Sequence, residues 1–297
     1  MKDQRVIRVG SRGSVLALRQ TQEVVERLSR VYQEVQWEVV PITTTGDRFP
    51  EDPKTTFAKG MFVKEVEEAL LRGIVDLAVH SLKDLPVDLP PGLAIFAVLK
   101  REDPRDVLLS RKGLPFAALP RGATIGTSSV RRKVQIEALR PDLEVVPLRG
   151  NVPTRIRKME RGEVDALVLA AAGLKRLGEE ARIVEYFSPE VLVPAVGQGV
   201  IVVEGRAKDP LESMVTVLNH KETAQAVEIE RNFLRLFGGG CQIPVGALAV
   251  VENGWIRLFG MAAYGKEVKK VSLEGPVEEQ SSLVQSLVRL LRGDGHE

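Results

Sequence analysis

The pentapeptide Arg72-Gly73-Ile74-Val75-Asp76 runs directly into the apolar stretch Leu77 to Ser81, and Arg161-Gly162-Glu163-Val164-Asp165 runs into Ala166 to Ala170. A glycine turn, an acidic residue and a short continuous apolar run together mark a buried strand entered from a helix. Each copy follows a segment of helical period, about residues 61–71 and 153–160, and each lies within the same order of elements. A recurrence of this kind predicts two similar α/β domains, and 297 residues are enough for more than one core.

The first repeat is expected to begin with a strand at 6–9 and a helix at about 15–32, whose Leu18, Val25, Leu28 and Val31 recur at helical spacing. A strand at 37–42 and a polar loop at 43–47 precede the helix and strand of the motif. The second repeat runs from a strand at 123–125 through Gly126-Thr127-Ser128-Ser129 into a helix at 130–139, then a strand at 144–148. Residues 191–203 read as one strand, through Gly197-Gln198-Gly199, that returns toward the first domain. After Asn219 the style changes. A helix at 222–237 precedes strands at 245–251, 255–263 and 267–273, turned at Asn253-Gly254, and a helix at 277–291. This describes a small α+β domain. The expected boundaries are 1–99 with 200–218, then 100–199, then 219–297.

Of the 42 basic residues, 27 are arginine, against 15 lysines. Arginine recognises carboxylates and phosphates through a planar, two-pronged contact that lysine cannot copy. Several stand where loops enter helices: Arg12 before the first, Arg131 and Arg132 in the second, and Arg149, Arg155 and Arg176 near strand-to-helix junctions. Helix starts attract anions, and open α/β sheets bind ligands at such junctions. The set points to a polyanionic ligand between two domains, although any one of these arginines could belong to a solvated helix face. Aromatics at 5% leave little for stacking single-stranded nucleic acid. The three histidines and single cysteine show no metal-ligand spacing, so no metal is expected. No apolar run is long enough for a membrane helix, no signal peptide is apparent at the N-terminus, and the lone cysteine suits a reducing cytoplasm.

Two positions invite chemistry. Cys241 lies within Gly238-Gly239-Gly240-Cys241-Gln242, where a reachable thiol or merely a free thiol in a turn would fit. Asp84, in His80-Ser81-Leu82-Lys83-Asp84-Leu85-Pro86, could accept or share a proton beside cationic side chains, or simply start the turn before Pro86.

Taken together, these segments resemble the hydroxymethylbilane synthase (porphobilinogen deaminase) family across nearly the whole chain. The resemblance rests on Ser11-Arg12-Gly13-Ser14, Lys59-Gly60-Met61-Phe62-Val63-Lys64-Glu65, His80 to Pro86 and Gly126 to Arg132. It continues through Leu148-Arg149-Gly150-Asn151-Val152, Ala171 to Leu177, Val196-Gly197-Gln198-Gly199 and Gly239-Gly240-Cys241-Gln242. It implies an α/β protein of three domains. The first two would be like type-two periplasmic binding proteins, and a small C-terminal α+β domain would carry a three-stranded antiparallel sheet.

The resemblance further implies a dipyrromethane cofactor joined by a thioether to Cys241. Four porphobilinogen molecules would be added head to tail with loss of ammonia, and the product would be released by water. Asp84 would hold pyrrole N–H groups and stabilise positive charge. Arg12, Lys83, Arg131, Arg132, Arg149, Arg155 and Arg176 would hold carboxylates. Ser14, Ser81, Thr127, Ser128, Ser129 and Gln198 would add hydrogen bonds, and Lys59 and Gly199 would also belong to the cofactor and substrate site. The implied enzyme is a cytoplasmic monomer whose partners are porphobilinogen and the growing polypyrrole chain, with no nucleic acid and no membrane. The sequence departs from the family before Lys59, where Lys54 is the nearest second lysine, and at Val200, which replaces a smaller residue. A solute-binding or effector-sensing module of the same architecture is the main rival, but it would leave the cysteine without a role.

Overall fold

Asp76 and Asp165 explain why the pentapeptide recurs. In the computed structural model, which describes residues 6–45, 63–238 and 244–293, Asp76 accepts the backbone N–H of Arg8 at 2.9 Å. Asp165 accepts that of Thr124 at 3.0 Å. In both copies the glycine turns through positive φ, 68° at Gly73 and 81° at Gly162, a region that only glycine enters without strain. Each motif therefore ends a helix and clips the next strand to the first strand of its sheet.

The chain divides into two compact units, residues 1–101 with 200–224 and residues 102–199 with 225–297. The first unit contains β1 (Val6–Arg12), α1 (Val15–Val31), β2 (Gln36–Ile42), α2 (Lys64–Leu71), β3 (Leu77–Ser81) and β4 (Leu93–Val98). The second holds β5 (Asp106–Ser110), β6 (Thr124–Gly126), α3 (Val130–Leu139), β7 (Glu144–Val146), α4 (Val152–Glu160), β8 (Ala166–Ala170), α5 (Ala171–Leu177) and β9 (Glu185–Tyr186). β10 (Ile201–Arg206) and α6 (Leu211–Val215) return to the first unit.

The sheet of the first unit has the order β2-β1-β3-β10-β4, and the larger sheet of the second has β7-β6-β8-β5-β9. In each, three parallel strands are followed by a fourth that runs antiparallel to the third. The two sheets thus share one plan, as expected from the repeat. α1 buries Val24, Val25 and Leu28 over Ile7, Val9, Leu77 and Val79 of the first sheet. Burial of each such side chain contributes about 1.5–3 kcal/mol.

α7 (Lys221–Gly238) leads to β11 (Val245–Glu252), β12 (Trp255–Tyr264), β13 (Glu267–Pro276) and α8 (Gln280–Arg292). These strands form the expected three-stranded antiparallel sheet, in the order β11-β12-β13. Asn253 and Gly254 join β11 to β12 with φ of 52° and 77°, the two-residue turn whose twist matches a hairpin. Phe233 of α7 and Leu287 of α8 are wholly buried in one cluster with Ile256 and Leu258. Among the described residues no helix is long and apolar enough to cross a membrane.

The structure corrects the strand expected at 191–203. Residues 191–200 form a loop, and strand pairing begins at Ile201. Gly197 and Gly199 have φ of 72° and 87°, which a continuous strand cannot accommodate. Val200, the departure noted above, is buried at the end of that loop. The sequence reading placed no element on β4, which pairs with β10 at the edge of the first sheet, or on β5, which is the antiparallel fourth strand of the second. A Cβ on Gly205 would fall 2.1 Å from Cε2 of Phe96, on the neighbouring strand β4. Gly205→Ala is therefore expected to lose about 1–3 kcal/mol in urea unfolding, through displacement of that core ring.

Candidate functional site

In the first unit, β1 and β3 end side by side, and their last residues face the start of α1. Ser14 caps that helix by accepting the Ala17 N–H at 3.3 Å. A single turn of 3₁₀ helix, Leu82–Asp84, follows β3 at once and presents Asp84. Arg12, Ser14, Gln20, His80, Ser81 and Asp84 line one pocket, about 370 Å³ when counted out to open solvent. Arg12 Nη1 stands 3.9 Å from Asp84 Oδ2, with the side chains 20% and 34% exposed. This is a loose ion pair whose members both remain accessible to a ligand. Gln20 Nε2 donates to the Ser81 hydroxyl at 2.8 Å and holds it in place. Lys83, on the same turn, is exposed.

In the second unit the corresponding helix start is built from Thr127, Ser128 and Ser129. Ser129 caps α3 by accepting the Arg132 N–H, Thr127 Oγ1 accepts the Ser129 N–H at 3.2 Å, and the Ser128 hydroxyl donates to Leu148 O at 2.7 Å. Arg131 and Arg132 turn inward from this cap. Arg131 Nη1 donates to Asp106 Oδ2 at 2.7 Å and to Val193 O, while Arg132 donates to Asp106 Oδ1 from Nη2 at 2.7 Å and from Nε at 3.0 Å. Gln198 is the third residue to donate to Asp106, through Nε2 at 2.9 Å. All of these groups are buried. Burial alone would raise the Asp106 carboxyl, but Arg131 and Arg132 outweigh it and hold the group far below the usual carboxylate range.

Asp106 is the residue that sequence reasoning missed. Its only signal was a carboxylate at the head of the buried run Val107-Leu108-Leu109, which had to find cations. Arg131 and Arg132 are thus engaged by a protein carboxylate and not turned freely outward.

Arg155 is placed differently. Its Nε donates to Gly150 O at 2.7 Å, and among the described residues no carboxylate pairs with it. Loss of water, and then the charge of Arg132, press its guanidinium down to about 10. An unpaired cation in such a place is costly unless an anion arrives to share it. Arg149 is half-buried just beyond β7, and Arg176 in the last turn of α5 donates to Gly199 O at 3.0 Å. Cys241 and Lys59, together with Lys54, lie outside the described residues. Among the described residues no group of histidines, acids or cysteines could hold a metal ion.

The donor set suits a ligand bearing several carboxylates on N–H-containing rings. In the pocket of the first unit Arg12 offers a cation and Asp84 accepts N–H groups. The chemistry of that pocket fits a dipyrromethane, with an acetate and a propionate on each ring. Residues 7–213 match the family profile described as porphobilinogen deaminase, dipyromethane cofactor binding domain, and residues 224–292 match its C-terminal domain. The chain is 48% identical over 291 residues to the porphobilinogen deaminase of Carboxydothermus hydrogenoformans, covering 97% of this chain and 94% of that protein. It is 47% identical over 294 residues to that of Syntrophus aciditrophicus, covering 97% and 96%. Among solved structures it is similar to the periplasmic VFT2 domain of Bordetella pertussis BvgS, at 17% identity, a TM-score of 0.42 and coverage of 73% and 87%. With both profiles matched in order and near-complete alignment to such relatives, the chain belongs to the porphobilinogen deaminase family.

Proposed function

We infer that this chain condenses four porphobilinogen molecules head to tail on a covalently held dipyrromethane and releases hydroxymethylbilane by hydrolysis. The observation that carries the reading is the convergence of Arg12, Ser81 and Asp84 on one pocket, at the helix start where a carboxylate-bearing pyrrole would be held. When bound, the dipyrromethane supplies the free pyrrole α-carbon from which the chain grows. Cys241 is its anchor through a thioether. Asp84 accepts pyrrole N–H bonds and faces the positive charge that develops on the incoming ring as its amine departs. Arg12 and Lys83 take substrate carboxylates in the first unit. In the second unit, Arg149, Arg155 and Arg176 take those of the lengthening chain, with Ser128 and Ser129 beside them. Arg131 and Arg132, locked to Asp106, support the cofactor by their charge and by holding the helix start rigid.

The enzyme acts as a monomer in the cytoplasm, with porphobilinogen and the polypyrrole chain as its ligands. Residues 100–199 and 219–297 serve as separate domains, the latter carrying the anchor. Intact-protein mass spectrometry tests the reading. The purified protein is expected to exceed its sequence mass by two linked pyrroles, and Cys241→Ser is expected to lose both that mass and the activity. A wild-type protein at its bare sequence mass that still turned over porphobilinogen would refute the anchor.

Arg155 offers a second check. Arg155→Met removes a cation that no carboxylate among the described residues pairs with, so the thermal midpoint is expected to hold or rise. Meanwhile kcat/KM for porphobilinogen should fall about tenfold or more, as one charge-assisted contact is lost. Loss of stability with unchanged kinetics would assign Arg155 to structure alone.

A further inference from the structure

Behind the pocket of the first unit lies a group of titratable side chains that the proposed chemistry leaves without a task. His80, on β3, lines the pocket wall and is otherwise buried, with 2% of its side chain exposed. Its Nε2 stands 3.1 Å from Oε2 of Glu204, whose side chain is wholly buried, but the two are not aligned for a hydrogen bond. β3 and β10 explain the meeting. His80 is registered with Val202, and the two-residue period of β10 returns Glu204 to the same face as a diagonal neighbour.

From α2, Glu67 brings a second buried carboxylate, and its Oε1 also lacks a hydrogen-bond partner. Among the described residues no arginine or lysine pairs with Glu67 or Glu204, so the cluster has one imidazole for two acids. Buried polar atoms left in this state are expensive, and a core of ordinary purpose would replace them with apolar groups.

The proposed reaction needs a proton to be parked. In each condensation the aminomethyl group, protonated as an ammonium, loses ammonia as its C–N bond breaks with both electrons on nitrogen. A C–C bond forms between that methylene and the free α-carbon of the chain, and the α-hydrogen departs as a proton. Ammonia and the proton leave in equal numbers as ammonium, so the step needs no oxidant or reductant. The two departures occur at different atoms, however, and the proton must wait on the protein between them.

We propose that His80, backed by Glu204 and Glu67, takes the α-proton of each condensation from the pocket into this buried trio and then hands it back through the pocket, where it leaves with the released ammonia as ammonium. The assignment rests on the functional reading above. Glu204 and Glu67 act through His80 and are positioning residues. Among the described residues, the charged side chains that share the pocket with His80 are Arg12 and Asp84. α1 offers the uncharged Gln20, and β4 carries no ionisable side chain. Burial first, and then Glu204, raise the Glu67 carboxyl to about 7, with His80 opposing. A group that exchanges its proton near neutrality suits a step repeated for every ring added.

The test uses the cofactor-loaded enzyme. There are three histidines in the chain, so ¹³C-labelled histidine gives three ring signals, and His80 is assigned by elimination with His220→Gln and His296→Gln. The His80 signal is expected to show an inflection near pH 7, caused by ionisation of Glu67, that vanishes in Glu67→Gln. In the wild type kcat should rise through the same pH range, as the proton seat empties. In Glu67→Gln that limb should be gone, with kcat at pH 8 lower by on the order of tenfold and KM within twofold. The proposal is overturned if the wild-type His80 signal shows no such inflection, or if the kcat limb persists in folded, cofactor-loaded Glu67→Gln. Should that variant not fold, the wild-type titration decides alone. Ammonia release by the wild type from porphobilinogen, measured on the same samples, separates failure of this proposal from failure of the functional reading.

Discussion

Asp84→Asn is expected to reduce kcat about a thousandfold while leaving the protein folded and its cofactor attached. The substitution keeps shape and one acceptor oxygen but removes the charge that faces the developing cation, a loss of the size associated with a preorganised electrostatic group. Little stability should be lost. Asp84 is about one-third exposed, and its contact with Arg12 is 3.9 Å long, an arrangement that contributes little in water. Steady-state kinetics, the thermal midpoint and the intact mass of the variant together make the check. Turnover near the wild-type rate would remove Asp84 from the chemistry.

Asp106→Asn should show the opposite split. Its carboxylate neutralises Arg131 and Arg132 in a buried setting, and the amide would leave both guanidiniums uncompensated. Breaking a buried ion pair from one side costs about 3–5 kcal/mol, so urea unfolding should shift by that amount. Any fall in activity would follow from disorder at the start of α3.

The pH dependence has a definite sign. Because the folded carboxyl lies far below its unfolded value of about 3.9, its contribution is complete above that value. It is lost as pH falls from there toward the folded value. The wild-type protein should therefore shed stability in acid, and the variant should lack that part of the slope. A shift below about 1 kcal/mol would mean that the two arginines find another anion.

The repeat was legible because its cause is local in form: an acid that binds a neighbouring strand's N–H, preceded by a glycine that must turn. The Asn253-Gly254 hairpin and the helix starts after Ser14 and Ser129 were legible for the same reason. β4 and β5 were not legible. Prolines stand before each, at Pro90, Pro91 and Pro104, and each strand has its antiparallel partner far away in sequence. The loop at 191–200 was mistaken for strand because valines dominate it, while Gly197 and Gly199 set its course.

By itself, then, the order of residues determined two α/β repeats, a terminal antiparallel sheet and an arginine-rich chemistry suited to carboxylates. Residue type carries that much, since a guanidinium keeps its charge and geometry wherever it stands. Tertiary structure alone decided how those charges are divided. It locked Arg131 and Arg132 onto Asp106, left Arg155 without a carboxylate among the described residues, and set His80 against Glu204 behind the pocket. Burial and pairing depend on which distant strands lie side by side, and in a medium of low polarity they turn identical side chains into different chemical groups.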